Sequence, residues 1–239
     1  MVNTTDFNME CMKVITPYLT GAKKTCSYCD HLTPLILLEG EHSYITLAIG
    51  QIVEGYLQVC AQKHRTSATG FLPNEREEFV LMKQVVRLAY KEVYGNSGVA
   101  FEHGQAGTCM LNEDDSDDSL CHHTHTHFAP VNIDIRNAVK KILPDEIIVN
   151  SLNELIDVRD KVLIGGPYLY FEDSDCIGYV YPVKGRPIPR QFLRTCVAEQ
   201  LNMNHRGDWI TFPGEEFFEI GRDKLQTVLQ RIYKELKSK

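Results

Sequence analysis

Apolar positions recur along this chain in two periods. Phe79, Met82, Val85, Val86, Ala89 and Val93 return at helical spacing. That stripe predicts one long helix, opened at Pro73-Asn74 and ended at Gly95. Glu75, Glu77 and Glu78 fall in its first turns, where the helix dipole favours acids. Residues 35–38 form a short apolar run, and residues 44–49, 53–60, 97–103 and 122–135 read as strands, with Gly50 and Gly55 as punctuation. Residues 1–20 read as a helical or irregular lead. The pattern changes near residue 136. Helical segments are expected at 136–143 and 152–158. A hairpin of 168–171 and 178–183 should turn around Glu172-Asp173-Ser174-Asp175, and helices at 189–201 and 215–236 close the chain. No internal repeat is visible. The fold class expected is α+β: a lead (1–21), a core domain of antiparallel sheet with one long helix (22–134), and a mixed α+β C-terminal extension (135–239).

Composition narrows the function. The 239 residues suffice for one large domain, or a core plus an extension. The formal net charge of -7 argues against a non-specific grip on nucleic-acid backbones. A local phosphate site stays compatible with it, because oriented amides and local charge decide such a site. No apolar run is long enough for a membrane span, so no membrane association is expected. Asp6 and Glu10 sit where a secretory signal would be basic and then apolar. The eight cysteines are therefore read as reduced, and the expected location is cytoplasmic. The acidic run from Glu113 to Asp118 reads as a solvated loop.

The densest chemistry is His122-His123-Thr124-His125-Thr126-His127. Side chains alternate along a strand, so His123, His125 and His127 share one face. So many imidazoles together are not core filler, and two readings stay open. The row holds a catalytic metal ion, or one imidazole is a nucleophile whose neighbours orient it or bind substrate. The outer two begin about 13 Å apart at the backbone, which strains a shared ion. Cys26 and Cys29 have the two-residue gap of a metal knuckle, a spacing that redox pairs and buried thiols share. Trp209, the only tryptophan, reads as core.

The segment from His123 to Ala129 resembles the signature of the histidine triad superfamily. Gly55 to His64 resembles that family's strand-to-loop segment, the helix at 75–94 falls where the family has its long helix, and Phe101-Glu102-His103-Gly104 resembles the segment before the triad. Departures are Tyr56 where the family often has histidine, threonines within the triad, the acidic loop, and histidine at the third triad position, where the galactose-1-phosphate uridylyltransferases have glutamine. The resemblance covers about residues 22–134. It implies an enzyme with a HIT-like fold, acting as a nucleotide hydrolase or nucleotidyltransferase at the α-phosphate of a nucleotide ester, anhydride or phosphoramidate. His125 would be the nucleophile and His127 the phosphate contact or proton donor, with Glu102 and His103 near phosphate or ribose. Uridylyltransferases and some bacterial relatives combine a cysteine pair with two histidines. That implies a structural Zn²⁺ on Cys26, Cys29, His64 and His123. Pro189 to Arg194 with Asp208-Trp209 resembles a C-terminal extension of some relatives, including the splicing-associated CwfJ-like group, in which Arg194 would reach a phosphate. The expected partner is a nucleotide or nucleotide conjugate, and many relatives form homodimers. The competing classes are a metal-dependent hydrolase and a non-catalytic nucleotide-binding scaffold.

Overall fold

The computed structural model describes residues 4–105 and 123–238. Helix α2 spans Pro73–Tyr94 and buries the predicted stripe from Phe79 to Ala89. The Leu72 amide donates to the Glu75 carboxylate at 3.0 Å, which satisfies one orphan donor of the first turn. Gly95, at φ +75°, lets the chain turn away. The strands, in chain order, are β1 (Ile36–Glu39), β2 (Ser43–Leu47), β3 (Leu57–Ala61), β4 (Val99–Gly104), β5 (His125–Ala129), β6 (Ile147–Val149), β7 (Tyr168–Glu172) and β8 (Gly178–Pro182). They form one eight-stranded sheet in the order β1-β2-β3-β5-β4-β7-β8-β6, with every pairing antiparallel. The chain is thus α+β, an antiparallel sheet with helices packed against it.

The sheet runs unbroken past residue 135. Strand β7 pairs along β4 from Ala100↔Glu172 to Gly104↔Tyr168, and so covers what would otherwise be an open edge. Helix α6 (Phe218–Lys237) returns to pack on α2 and β1. The N-terminal lead is a helix, α1 (Thr4–Leu19), with Cys11 and Ile15 fully buried.

Each face of the sheet carries its own core. On one, Leu57, Val59, Ala100 and Phe128 pack under α2 and α6. On the other, Val99, Phe101, Ala129, Leu169 and Phe171 pack with residues of α3 (Arg136–Lys140) and α5 (Phe192–Gln200). A smaller cluster joins Leu155 of α4 (Leu152–Lys161) to Tyr168 and Val180.

Three details differ from the sequence reading. Strand β3 starts at Leu57, not at residue 53, because Gly55 turns the chain at φ +75° where a Cβ would overlap the Tyr94 hydroxyl. Strand β5 is shorter than 122–135: Pro130, which has no N–H for a ladder, follows its last residue. Strand β6 was not expected, since three residues are too few for a periodic signal. His122 and the acidic run lie outside the described residues. Among the described residues, no helix is long and apolar enough to cross a membrane.

Candidate functional site

Strand β5 lies between β3 and β4, with Cys60 opposite His125 and both Gln58 and Phe101 opposite His127. Alternation sends His125 and His127 to one face and Thr126 and Phe128 to the other. His125 stacks on Tyr28, with ring centroids 4.5 Å apart and planes 18° apart. His127 stands edge-on to His125 at 4.7 Å and stacks on Phe101 at 4.8 Å. Both histidines line a cavity of about 390 Å³, together with His103, Gln58, Arg190 and Trp209.

The hydrogen bonds of His125 fix its tautomer. Its Nδ1 lies 2.8 Å from the carbonyl oxygen of His123. A carbonyl only accepts, so Nδ1 carries the proton and the neutral ring has its lone pair at Nε2. Burial holds His125 down at about 4, against the upward pull of that same bond. His127 is also driven well below the ordinary histidine range, by burial first and then by His125 and Arg194 nearby. Both rings are therefore neutral near pH 7.

A second cluster sits beside this pair. The ligand atoms of Cys26, Cys29, His64 and His123 all lie within 4.8 Å of one another. Nε2 of His123 donates to the Ala61 carbonyl at 2.7 Å, which leaves the Nδ1 lone pair facing the sulfurs. The distances from Nδ1 of His123 to Cys26 and Cys29 Sγ are 3.6 and 3.4 Å, and His64 Nδ1 is 3.3 Å from Cys29 Sγ. A tetrahedral ion bound at about 2.3 Å to sulfur and about 2.0 Å to nitrogen has sulfur–nitrogen edges of about 3.5 Å. Two thiols and two imidazoles at that spacing fit a metal ion. Burial and the adjacent Cys26 push the Cys29 thiol up to about 11, a cost that a bound dication removes. All six cysteines among the described residues are free thiols.

No protein-family model matches the chain, and no curated protein matches it. Solved structures similar to part of it include histidine triad proteins. One, a hypothetical histidine triad nucleotide-binding protein from Sulfolobus tokodaii, is 18% identical, with 44% of this chain and 68% of that one covered and a TM-score of 0.34. A Hit-like protein involved in cell-cycle regulation from Bartonella henselae is 12% identical over 49% of this chain and 74% of its own, with a TM-score of 0.31. A Zn-bound histidine triad family protein from Mycobacterium smegmatis is 17% identical over 52% and 76%, with a TM-score of 0.30.

The remaining predicted site residues separate. His103 lines the cavity. Glu102, its neighbour on β4, points to the opposite face, since adjacent strand residues cannot share one. There its buried carboxylate accepts from the Ala68 amide and the Tyr168 hydroxyl, both at 3.0 Å, and from Thr126 at 3.3 Å. Burial pushes that carboxyl above its ordinary range. Arg194 is 5% exposed and lies at the cavity wall. Its Nη2 donates to the Gly50 carbonyl at 2.7 Å and the Arg206 carbonyl at 3.2 Å, its Nη1 to the Tyr56 hydroxyl at 3.2 Å, and its Nε to the Gly207 carbonyl at 3.4 Å.

Sequence reasoning missed Tyr28, Gln58 and the cavity position of Trp209, which is half-buried rather than core. Tyr28 was legible in principle. It sits between the paired cysteines, so folding that knuckle onto His123 brings it to His125. Trp209 gave no comparable signal.

Proposed function

We propose that this chain is a nucleotide hydrolase or nucleotidyltransferase acting at an α-phosphate through His125. The observation that carries this reading is the 2.8 Å bond from His125 Nδ1 to the His123 carbonyl. It leaves a neutral, oriented Nε2 lone pair at the cavity wall, the requirement for a histidine nucleophile. In this reading Nε2 attacks the α-phosphorus and forms a nitrogen–phosphorus bond. The bond from phosphorus to the leaving group breaks, and the leaving group departs with the electron pair, steadied by a hydrogen bond from Nε2–H of His127, and takes its proton from water. Water, which loses a proton to solvent, or a second phosphate then attacks the same phosphorus, the nitrogen–phosphorus bond breaks, and His125 is released as the neutral imidazole. His103 is the proposed substrate contact. Glu102, on the far face, touches no substrate and instead ties β5 to the segment at Ala68.

We further propose that Cys26, Cys29, His64 and His123 hold Zn²⁺. A closed four-ligand ion there supplies no reactive position and acts as a structural tie. His123 belongs to this set while its carbonyl orients His125, so the tie and the nucleophile share one residue. The four-donor set needs neither His125 nor His127, which favours the nucleophile over a triad-bound catalytic ion. A cytoplasmic enzyme that forms homodimers is the setting this reading suggests.

The test is a screen of dinucleoside polyphosphates, nucleoside phosphoramidates and nucleotide sugars, followed by phosphorus NMR. Turnover is expected for at least one class and absent in His125→Ala. Turnover that survives His125→Ala but is abolished by chelation would overturn the nucleophile and restore the metal-dependent hydrolase. No turnover in any class favours a binding scaffold.

A further inference from the structure

His127 and His125 look alike in sequence, but their hydrogen bonds are opposite. Nδ1 of His127 lies 2.9 Å from the Tyr56 hydroxyl and 3.3 Å from Gln58 Nε2. The direction of the tyrosine bond is decided one residue further on. Arg194 reaches the same hydroxyl at 3.2 Å, and a guanidinium has only donors. The Tyr56 oxygen therefore accepts from Arg194, and its single proton goes to His127 Nδ1. The amide nitrogen of Gln58 donates to the same atom. A neutral imidazole that accepts at Nδ1 carries its proton on Nε2.

We infer that Arg194 and Tyr56 are positioning residues that lock His127 in the Nε2–H tautomer. His125 thus presents a lone pair while His127 presents a proton. The lock is well built. Tyr56 is fully buried, and its ring lies 5.5 Å from that of His127 at 19°. The Arg194 guanidinium stands 5.4 Å from the Tyr56 ring centroid and is held from three sides by the carbonyls of Gly50, Arg206 and Gly207. Burial, His125 and Arg194 itself disfavour a second proton on His127. Among the described residues, Nε2 of His127 has no hydrogen-bond partner, so its proton remains available at the cavity. Arg194 comes from the C-terminal part of the chain and Tyr56 from the turn before β3. The C-terminal part would then act on the reaction through the sheet rather than on the substrate.

The kinetic consequence rests on the proposed reaction, but the tautomer does not. The full chain, with ¹⁵N-labelled histidines, is examined by long-range ¹H–¹⁵N correlation, and His127→Gln assigns the signals. Wild type should show His127 protonated at Nε2 and His125 at Nδ1. Tyr56→Phe keeps the ring and removes the donor, so His127 should shift toward the Nδ1–H form. With a substrate that turns over, Tyr56→Phe should lower kcat on the order of 10²-fold, as expected for a misoriented hydrogen-bond donor to the departing group, and leave KM nearly unchanged. Arg194→Lys should retain part of the lock, and Arg194→Met should lose it. A wild-type His127 protonated at Nδ1 overturns the proposal. So does an Arg194→Lys protein that raises KM while kcat and the tautomer stay as in wild type, because Arg194 then binds substrate directly. An Nε2–H signal without turnover of any nucleotide leaves the lock standing and sinks the reaction.

Discussion

The two faces of the β4–β5 pair hold buried polar side chains to opposite ends. On the α2 side, Glu102 accepts three hydrogen bonds. Glu172 is clasped there by Lys83 at 2.5 Å, Arg87 at 2.7 Å and the Tyr170 hydroxyl at 2.6 Å. On the cavity side, His125 and His127 each have Nδ1 bonded to the protein and Nε2 facing no protein partner among the described residues. The first pattern satisfies both buried carboxylates, each of which accepts from three donors. The second orients a reactive atom while leaving it uncommitted. In the proposed reaction, the groups that act are those whose free atom faces the cavity, not those in the densest polar network.

The largest effect on folding should come from the proposed metal site, whose four donors converge on one point. Cys26→Ser or chelation should release the ion with a loss of several kcal/mol in stability, read by denaturant unfolding with and without added Zn²⁺. Equal stability in both conditions contradicts a structural ion.

Glu172→Gln comes next. It leaves Lys83 and Arg87 with an uncharged partner on the α2 face, and breaking such a buried network costs about 3–5 kcal/mol. Burial alone would raise the Glu172 carboxyl, yet Lys83 and Arg87 outweigh it and hold the group at about 2. The unfolded carboxyl titrates near about 4.3. The stabilisation from Glu172 is therefore fully present above about pH 5 and is lost as pH falls toward 2. The variant should show a flatter acid limb, while catalysis by the remaining folded fraction is unchanged.

The smallest effect belongs to Thr126→Val, which removes one of three bonds to Glu102 at nearly constant volume. A loss of about 1 kcal/mol is expected, with kcat within twofold of wild type. A large fall in kcat with normal stability would show that the two faces are coupled and blur the contrast drawn between them.

Much of this was legible in the sequence, for reasons that differ by element. Helix α2 announced itself by a long apolar period, a proline start and a glycine stop. The histidine row followed from period-two alternation, which also places Glu102 and His103 on opposite faces; the motif resemblance had grouped the two, and alternation decides against that grouping. The cluster of Cys26, Cys29, His64 and His123 joins residues far apart in the chain. The cysteine spacing gave half of it, and the resemblance supplied the histidines. Tyr56, Gln58 and Arg194 around His127 depend on sheet register and on how the C-terminal part folds back. No local pattern encodes such long-range contacts. Strand β6 was lost for the opposite reason, being too short to carry any period.

The central claim is that His125 forms a covalent bond to phosphorus. Reacting the chain with a nucleoside phosphoramidate or dinucleoside polyphosphate that it turns over, quenching under alkaline denaturing conditions that preserve phosphohistidine, and measuring intact and peptide masses tests it directly. A mass increase of one nucleotidyl group is expected, mapped to His125 and absent in His125→Ala. Continued turnover with no adduct at any quench time, or an adduct on another residue, would contradict it.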